Sequence, residues 1–125
     1  MELINVRLKV DRTVECSKTT LGHVGEHRAY CLAITIEYDL AYTVDYIRLI
    51  FGNTYSEKIN TSTSTIYYYI PQWVMGSPLI LFQIAGYKSG AGGITIVWKS
   101  DVVVFTLKRS LPASSQIAQD VKEHD

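Results

Sequence analysis

The chain has 125 residues, enough for one domain with a core that buries more than half of the surface its unfolded form exposes. Twelve Lys and Arg balance twelve Asp and Glu, so no long-range field steers it to nucleic acid or to an anionic membrane. No apolar stretch reaches the about 20 residues of a membrane-spanning helix, and the start Met1-Glu2-Leu3-Ile4-Asn5-Val6-Arg7 is no export signal, so a soluble protein made in the cytoplasm is expected, with Cys16 and Cys31 reduced.

In chain order, Ile4, Val6, Leu8 and Val10 alternate with polar residues, the period of a half-buried strand. Thr13 to Ser17 reads as a short edge strand and Lys18 to Arg28, with Gly22 and Gly25, as a loop. From Ala29 the alternation resumes, with Tyr30, Leu32, Ile34, Ile36 and Tyr38 on one face and Cys31, Ala33, Thr35 and Glu37 on the other. Tyr46 to Phe51 is β-rich and closed by Gly52-Asn53, with Tyr55 to Ile59 as its hairpin partner. Ile66 to Ile70 places Tyr68 with the isoleucines on one face and Tyr67 with Tyr69 on the other; Pro71 ends it, and Gln72 to Gly76 reads as a helical turn or corner. Leu79 to Tyr87, Ile94 to Lys99 and Val102 to Lys108 complete the strands, the first two joined by the loop Gly86 to Gly93. About eight short strands without helical periodicity predict an all-β antiparallel sandwich, Ig-like or jelly-roll-like. Residues 1–111 form that domain and 112–125 a linker or short helix, where Ile117 and Val121 make one apolar stripe suited to self-assembly.

Constellations that could carry chemistry do not meet its requirements. The Gly86 to Gly93 loop is followed by a strand, whereas a phosphate cradle needs a helix and a Lys-Ser or Lys-Thr pair directly after its glycines; Lys99-Ser100 comes too late. His23, Glu26 and His27 lie close in sequence, but Gly25 argues against a helix that would put both histidines on one face. Cys31 fits a small core residue, no serine sits in a Gly-x-Ser-x-Gly elbow, and Glu37, Asp39, Asp45 and Glu57 read as solvated strand ends. No catalytic residue, metal or cofactor is therefore expected. Nine tyrosines and two tryptophans are the compositional excess with a binding meaning. Tyr67, Tyr69 and Trp73, with Tyr55, are candidates for an exposed aromatic surface that anchors a protein interface or stacks on sugar rings; ordinary half-exposed strand residues are the competing reading.

Several segments occur in an order that resembles a known family. They are Leu21-Gly22-His23-Val24-Gly25-Glu26-His27-Arg28-Ala29, Leu32-x-Ile34, Tyr46-Ile47-Arg48-Leu49-x-Phe51, Tyr69-Ile70-Pro71, Leu81-x-Gln83-Ile84-x-Gly86-Tyr87 and Trp98-Lys99-Ser100-Asp101-x-Val103-x-Phe105-x-Leu107-Lys108-Arg109-Ser110-Leu111. Together they resemble the N-terminal β-sandwich domain of baseplate upper proteins or tail-fibre proteins of phages and prophages of Gram-positive bacteria. The resemblance implies a virion structural protein, assembled in the bacterial cytoplasm, that joins other tail or baseplate proteins, forms homo-oligomers and presents a receptor-binding module. Larger members continue beyond this domain, so the chain is read as a small virion protein or the N-terminal piece of a longer one. The alternative is a carbohydrate-binding sandwich that recognises a bacterial surface polysaccharide through Tyr67, Tyr69 and Trp73.

Overall fold

Alternating side chains become two packed sheets in the computed structural model, which describes residues 2–24 and 30–108. Eleven strands run through the described residues: β1 (Glu2–Leu8), β2 (Val14–Cys16), β3 (Thr20–His23), β4 (Tyr30–Ile36), β5 (Tyr46–Phe51), β6 (Thr54–Tyr55), β7 (Ile59–Asn60), β8 (Ile66–Tyr69), β9 (Leu79–Gly90), β10 (Gly93–Lys99) and β11 (Val103–Lys108). One helical turn, α1 (Tyr38–Ala41), follows β4, and a 3-10 turn, Gln72–Gly76, follows β8. The first sheet has the order β2-β1-β4-β8 and the second β3-β11-β9-β5-β6, with β10 beside β9 and β7 beside β5.

The all-β sandwich is as expected, but two of its pairings are parallel. β4 lies parallel to β1, and β3 parallel to β11. Hairpin logic links neighbours in sequence, whereas here the chain leaves the first sheet after β2, visits the second as β3, and re-enters as β4 in the direction of β1. The segment read as a loop from Lys18 therefore contains β3, whose Leu21 enters the core. The nine segments read as strands become eleven because β3 lies in the expected loop and the expected partner of β5 is two strands, β6 and β7, each two residues long. Val10 and Tyr38 fall outside their strands and are exposed.

The inner faces interdigitate as the alternation requires. Ile4, Val6 and Leu8 of β1 and Tyr30, Leu32 and Ile34 of β4 meet Ile47, Leu49 and Phe51 of β5, Ile80, Phe82 and Ile84 of β9 and Phe105 of β11. Phe82 stands between Phe51 and Phe105, at centroid distances of 5.3 and 5.6 Å. The buried Tyr30 carries its hydroxyl across the core and accepts a hydrogen bond from the Gly22 N–H at 2.8 Å, joining the two sheets. A second junction comes from the β1–β2 turn, where Arg12 adopts φ 75° and its carbonyl accepts the Asp101 N–H at 2.9 Å.

The expected Gly86 to Gly93 loop shrinks to the turn between Gly90 and Gly93, and Gly93 alone of those glycines has a positive φ, 109°. Gly86 lies in β9 opposite Trp98, with a β-bulge between Ile96 and Trp98. A Cβ on Gly86 would stand 2.5 Å from Trp98 Cε2 and 2.6 Å from Val44 Cγ1, so this glycine serves a close approach and not a turn. Trp98 is buried over it and donates its Nε1–H to Thr43 Oγ1 at 3.1 Å.

Two serines, Ser56 and Ser100, are the buried polar residues of the described chain, 7% and 3% exposed. β10 and β11 follow one another along the same edge of β9, and Ser100 fills the break between them. Its N–H donates to the Ile84 carbonyl at 2.8 Å and its Oγ accepts the Ile84 N–H at 2.9 Å. Across the sheet, Ser56 fills the break between β6 and β7 in the same way. Its N–H donates to the Leu49 carbonyl at 2.8 Å and its Oγ accepts the Leu49 N–H at 2.9 Å. Each serine hydroxyl then donates to the carbonyl of the next residue, Asp101 at 3.0 Å and Glu57 at 2.9 Å. Leu49 and Ile84 are register partners, so both repairs lie in one row.

The first sheet also separates the two cysteines. Cys16 pairs with the core residue Val6, whereas Cys31 pairs with the exposed Leu3, so the thiols lie on opposite faces, two strands apart. No disulfide can join them without rebuilding the sheet. Burial pushes the Cys16 thiol up to about 11.

Three outcomes follow from these contacts. Gly86→Ala is expected to displace Trp98 and lower stability by about 2–4 kcal/mol in urea denaturation, a cost of overpacking with a lost hydrogen bond. Ser56→Ala and Ser100→Ala each strand a buried N–H and are expected to lose about 1–3 kcal/mol, while Ser64→Ala at an exposed position stays within about 0.5 kcal/mol of wild type. Alkylation of Cys16 in the folded protein is expected to accelerate with pH up to about 11, and at pH 8 its thiolate population is about a hundredfold below that of a thiol titrating at 9.0.

Candidate interaction surfaces

The aromatic residues singled out in the sequence are only partly brought together. Tyr67 and Tyr69 project from the outer face of β8, 65% and 62% exposed, opposite Ala33 and Cys31 of β4. Beyond β4 on the same face come Leu3, Asn5 and Arg7 of β1. The small side chains of Cys31 and Ala33 thus floor a shallow trough between a tyrosine ridge and the β1 side chains. It adjoins a depression of about 680 Å³ whose lining includes Asn5, Arg7, Glu15, Ser17, Thr35 and Glu37. Cys31 is small and buried as expected, but under this trough and not in the inter-sheet core.

Trp73 is placed elsewhere. Pro71 ends β8, and the following 3-10 turn sets the Trp73 ring edge-on to Phe51 at 6.4 Å, with Tyr68 stacked on the same Phe51 at 6.1 Å. Tyr68 faces inward as the alternation predicts; burial, then the nearby Glu57 carboxylate, raises its phenol above the ordinary value. Tyr55 belongs to the second sheet, opposite Ile50, and is separate from the Tyr67–Tyr69 pair. Ile117 and Val121, with the whole 112–125 linker, lie outside the described residues, as do Glu26 and His27. Among the described residues no group of three His, Cys, Asp or Glu could hold a metal ion. Two of the carboxylates considered for chemistry are engaged by backbone: Glu37 accepts the Val10 N–H at 3.3 Å, and Asp45 accepts the Ser89 N–H at 2.7 Å.

Two further surfaces escape the sequence reading. On the outer face of the second sheet, the rings of Tyr46 and Tyr87 stack at 5.2 Å and 7°, over Ile50 and Ala85. Lys58 sits 4.9 Å from the Tyr46 centroid and Arg48 5.8 Å. Burial, then Tyr55, raises the Tyr87 phenol, with Arg48 acting against them. The same face continues through exposed Leu79, Leu81 and Val104. The other surface is the free end of the β9–β10 hairpin, where Ile94, Ile96 and Val97 are 60%, 47% and 41% exposed. The bulge between Ile96 and Trp98 reverses the alternation, so Ile94 and Ile96, opposite Ser89 and Tyr87, lie on the outer face of the second sheet while Trp98 faces the core.

Comparison with known proteins bears on the fold. No protein-family model matches the chain, and no curated protein matches its sequence. Among solved structures it is similar to the N-terminal domain of phage TP901-1 ORF48, with a TM-score of 0.61 and 10% sequence identity over 86% of this chain and 99% of that one. The two chains share a fold from end to end of that domain.

Proposed function

We propose that this chain is a non-enzymatic structural protein of a phage or prophage tail or baseplate, whose sandwich connects the tail to a receptor-binding fibre or module. The observation that carries this reading is the fold correspondence with nearly the whole of a domain named from a phage protein. The ordered segments from Leu21 to Leu111 support it independently, because they rest on residues and not on backbone shape.

The layout suits a connector. Glu2 pairs with Tyr30, and the Val24 N–H donates to the Lys108 carbonyl at 2.8 Å, so the start of β1 and the end of β11 lie at one end of the sandwich. The β9–β10 turn lies at the other, 11 residues along β9 from Leu79, or about 36 Å. A continuation past Lys108 and a contact at the hairpin would act at opposite poles. Contacts with other tail or baseplate proteins, homo-oligomerisation and residence in the virion belong to this reading.

Mass spectrometry and antibody labelling of purified particles from the bacterium carrying the gene provide the test. The expected result is this chain in fixed ratio to the tail proteins, with label at the tail tip. Its absence from particles that hold the other tail proteins in full amount would overturn the proposal.

A further inference from the structure

At the end of the sandwich where β4 stops and β8 starts, α1 and residues 61–64 flank a depression of about 500 Å³, within the size range of small-ligand sites. Its floor is apolar, formed by Ile34, Ile36 and Ile66. One wall carries Tyr38 on α1 and Tyr42 at its C-terminal cap, four positions apart and therefore on one face. Their ring centroids lie 5.8 Å apart with the planes at 29°, and the two residues are 75% and 76% exposed. The turn beneath them is fixed by the buried Leu40, whose carbonyl accepts the Thr43 hydroxyl at 2.7 Å. Lone exposed aromatics are ordinary surface, but a stacked pair beside a concave apolar floor is not.

The facing wall is a run of hydroxyls, Thr61-Ser62-Thr63-Ser64. Its backbone is held in shape, because the Ser62 N–H donates to Asn60 Oδ1 at 2.7 Å and the Thr63 hydroxyl donates to the Thr65 carbonyl at 3.2 Å. Among the described residues nothing pairs with the hydroxyls of Thr61, Ser62 and Ser64. No Lys, Arg, His, Asp or Glu is part of the lining, and the Glu37 carboxylate next to Tyr38 is taken by the Val10 N–H.

We propose that this depression binds an uncharged sugar unit of an oligosaccharide, with its C–H face on the tyrosine rings and its hydroxyl groups among those of Thr61, Ser62 and Ser64. A lining without charge offers no counter-charge to a phosphate, a carboxylate or a cation. A wholly apolar ligand would desolvate the hydroxyl wall with nothing in return. A pyranose ring meets both walls, since it has C–H groups on a face and hydroxyls around its edge, and serine and threonine hydroxyls donate or accept as their neighbour requires. The depression joins the one that includes Asn5, Arg7 and Glu15 through the shared residues Thr35, Ile36 and Tyr38, so further sugar units have a continuous path over the sheet. The site is distinct from the aromatic surface expected at Tyr67, Tyr69 and Trp73, from which Trp73 is separated, and it does not rest on the connector reading.

Titration of the isotope-labelled full chain with maltotriose, cellotriose and chitotriose, each to about 20 mM, reaches dissociation constants in the millimolar range. At least one is expected to give saturable amide shifts centred on Tyr38 to Tyr42 and residues 61–64. Tyr38→Ala and Tyr42→Ala should each weaken that binding about three- to tenfold, and Thr61→Val, which exchanges the hydroxyl for a methyl, by a similar factor. These positions lie at the surface or its margin, so the amide spectrum away from the site should stay as in the wild type. Tyr69→Ala should leave binding unchanged, and the anionic trigalacturonate should bind more weakly than the best neutral probe. No saturable shift with any of the three neutral probes would overturn the proposal. So would shifts that persist at full strength in both tyrosine variants, or that centre on β8 and vanish with Tyr69→Ala, or tighter binding of trigalacturonate. The titration contains no tail component, so its failure is distinct from failure of the particle test.

Discussion

The backbone groups of Leu49 and Ile84 set the condition on which the second sheet depends. Both residues are fully buried, on neighbouring strands and in register. Neither has a regular strand alongside its other edge, because β6 and β7 stop short of Leu49 and β10 and β11 stop short of Ile84. An unpaired peptide group at such depth would cost more than most side-chain contacts return. Ser56 and Ser100 resolve this by supplying backbone N–H and hydroxyl oxygen together. Leu49 and Ile84 face each other as a non-hydrogen-bonded register pair whose backbone groups point outward, and the two serines receive them on either side. Arg48 and Gln83 reinforce this by donating to the serine carbonyls at 2.6 and 2.9 Å.

That repair permits β9 to be 12 residues long while its neighbours change. Its lower third pairs with β11 and turns Ile80 and Phe82 into the core; its upper half pairs with β10 and ends in the exposed residues Lys88 to Gly90. Trp98 marks the transition, as the last side chain of β10 to reach the core, lying over Gly86 with its indole N–H held by Thr43. Above it the hairpin is anchored by the Ser89–Asp45 hydrogen bond and the Tyr46–Tyr87 stack. A packed base and an exposed tip thus arise from one strand. The base packs on both faces of β9 at Ala85 and Gly86, whereas Lys88, Ser89 and Gly90 are exposed.

Most of the fold was legible because it rests on side-chain alternation. β1, β4, β5, β8, β9 and β11 and the corner after Pro71 were visible in that way, and the inner residues of these strands form the core. What was illegible depends on partners distant in sequence. β3 has four residues and little pattern of its own, and exists because β11 lies beside it. Gly86 reads as loop because glycine favours turns, while its reason for being glycine is an indole 12 positions away. Ser56 and Ser100 read as turn residues for the same cause: their hydroxyls substitute for peptide groups only once β5 and β9 are adjacent. Of the aromatic surface, the Tyr67–Tyr69 pair follows from a two-residue period, but the position of Trp73 is set by a 3-10 turn whose direction no periodicity specifies.

The similarity to the phage domain fits this division. A sandwich of this shape requires apolar residues at inner positions and breaks at the right places, and many sequences meet those terms, so 10% identity with a TM-score of 0.61 is physically unsurprising. Outer positions are not constrained by the core. The Tyr67–Tyr69 ridge, the cation-flanked Tyr46–Tyr87 stack and the exposed Ile94, Ile96 and Val97 of β10 are properties of this chain's own side chains. Every free edge among the described residues is short or broken, β10 by its bulge between Ile96 and Trp98, as expected of a protein that must not pair at random. The hairpin tip that β9 and β10 form lies at the pole farthest from where β1 begins and β11 ends. Contact there leaves the other pole free, so a single sandwich can be held at its hairpin and extended past Lys108 without the two demands meeting.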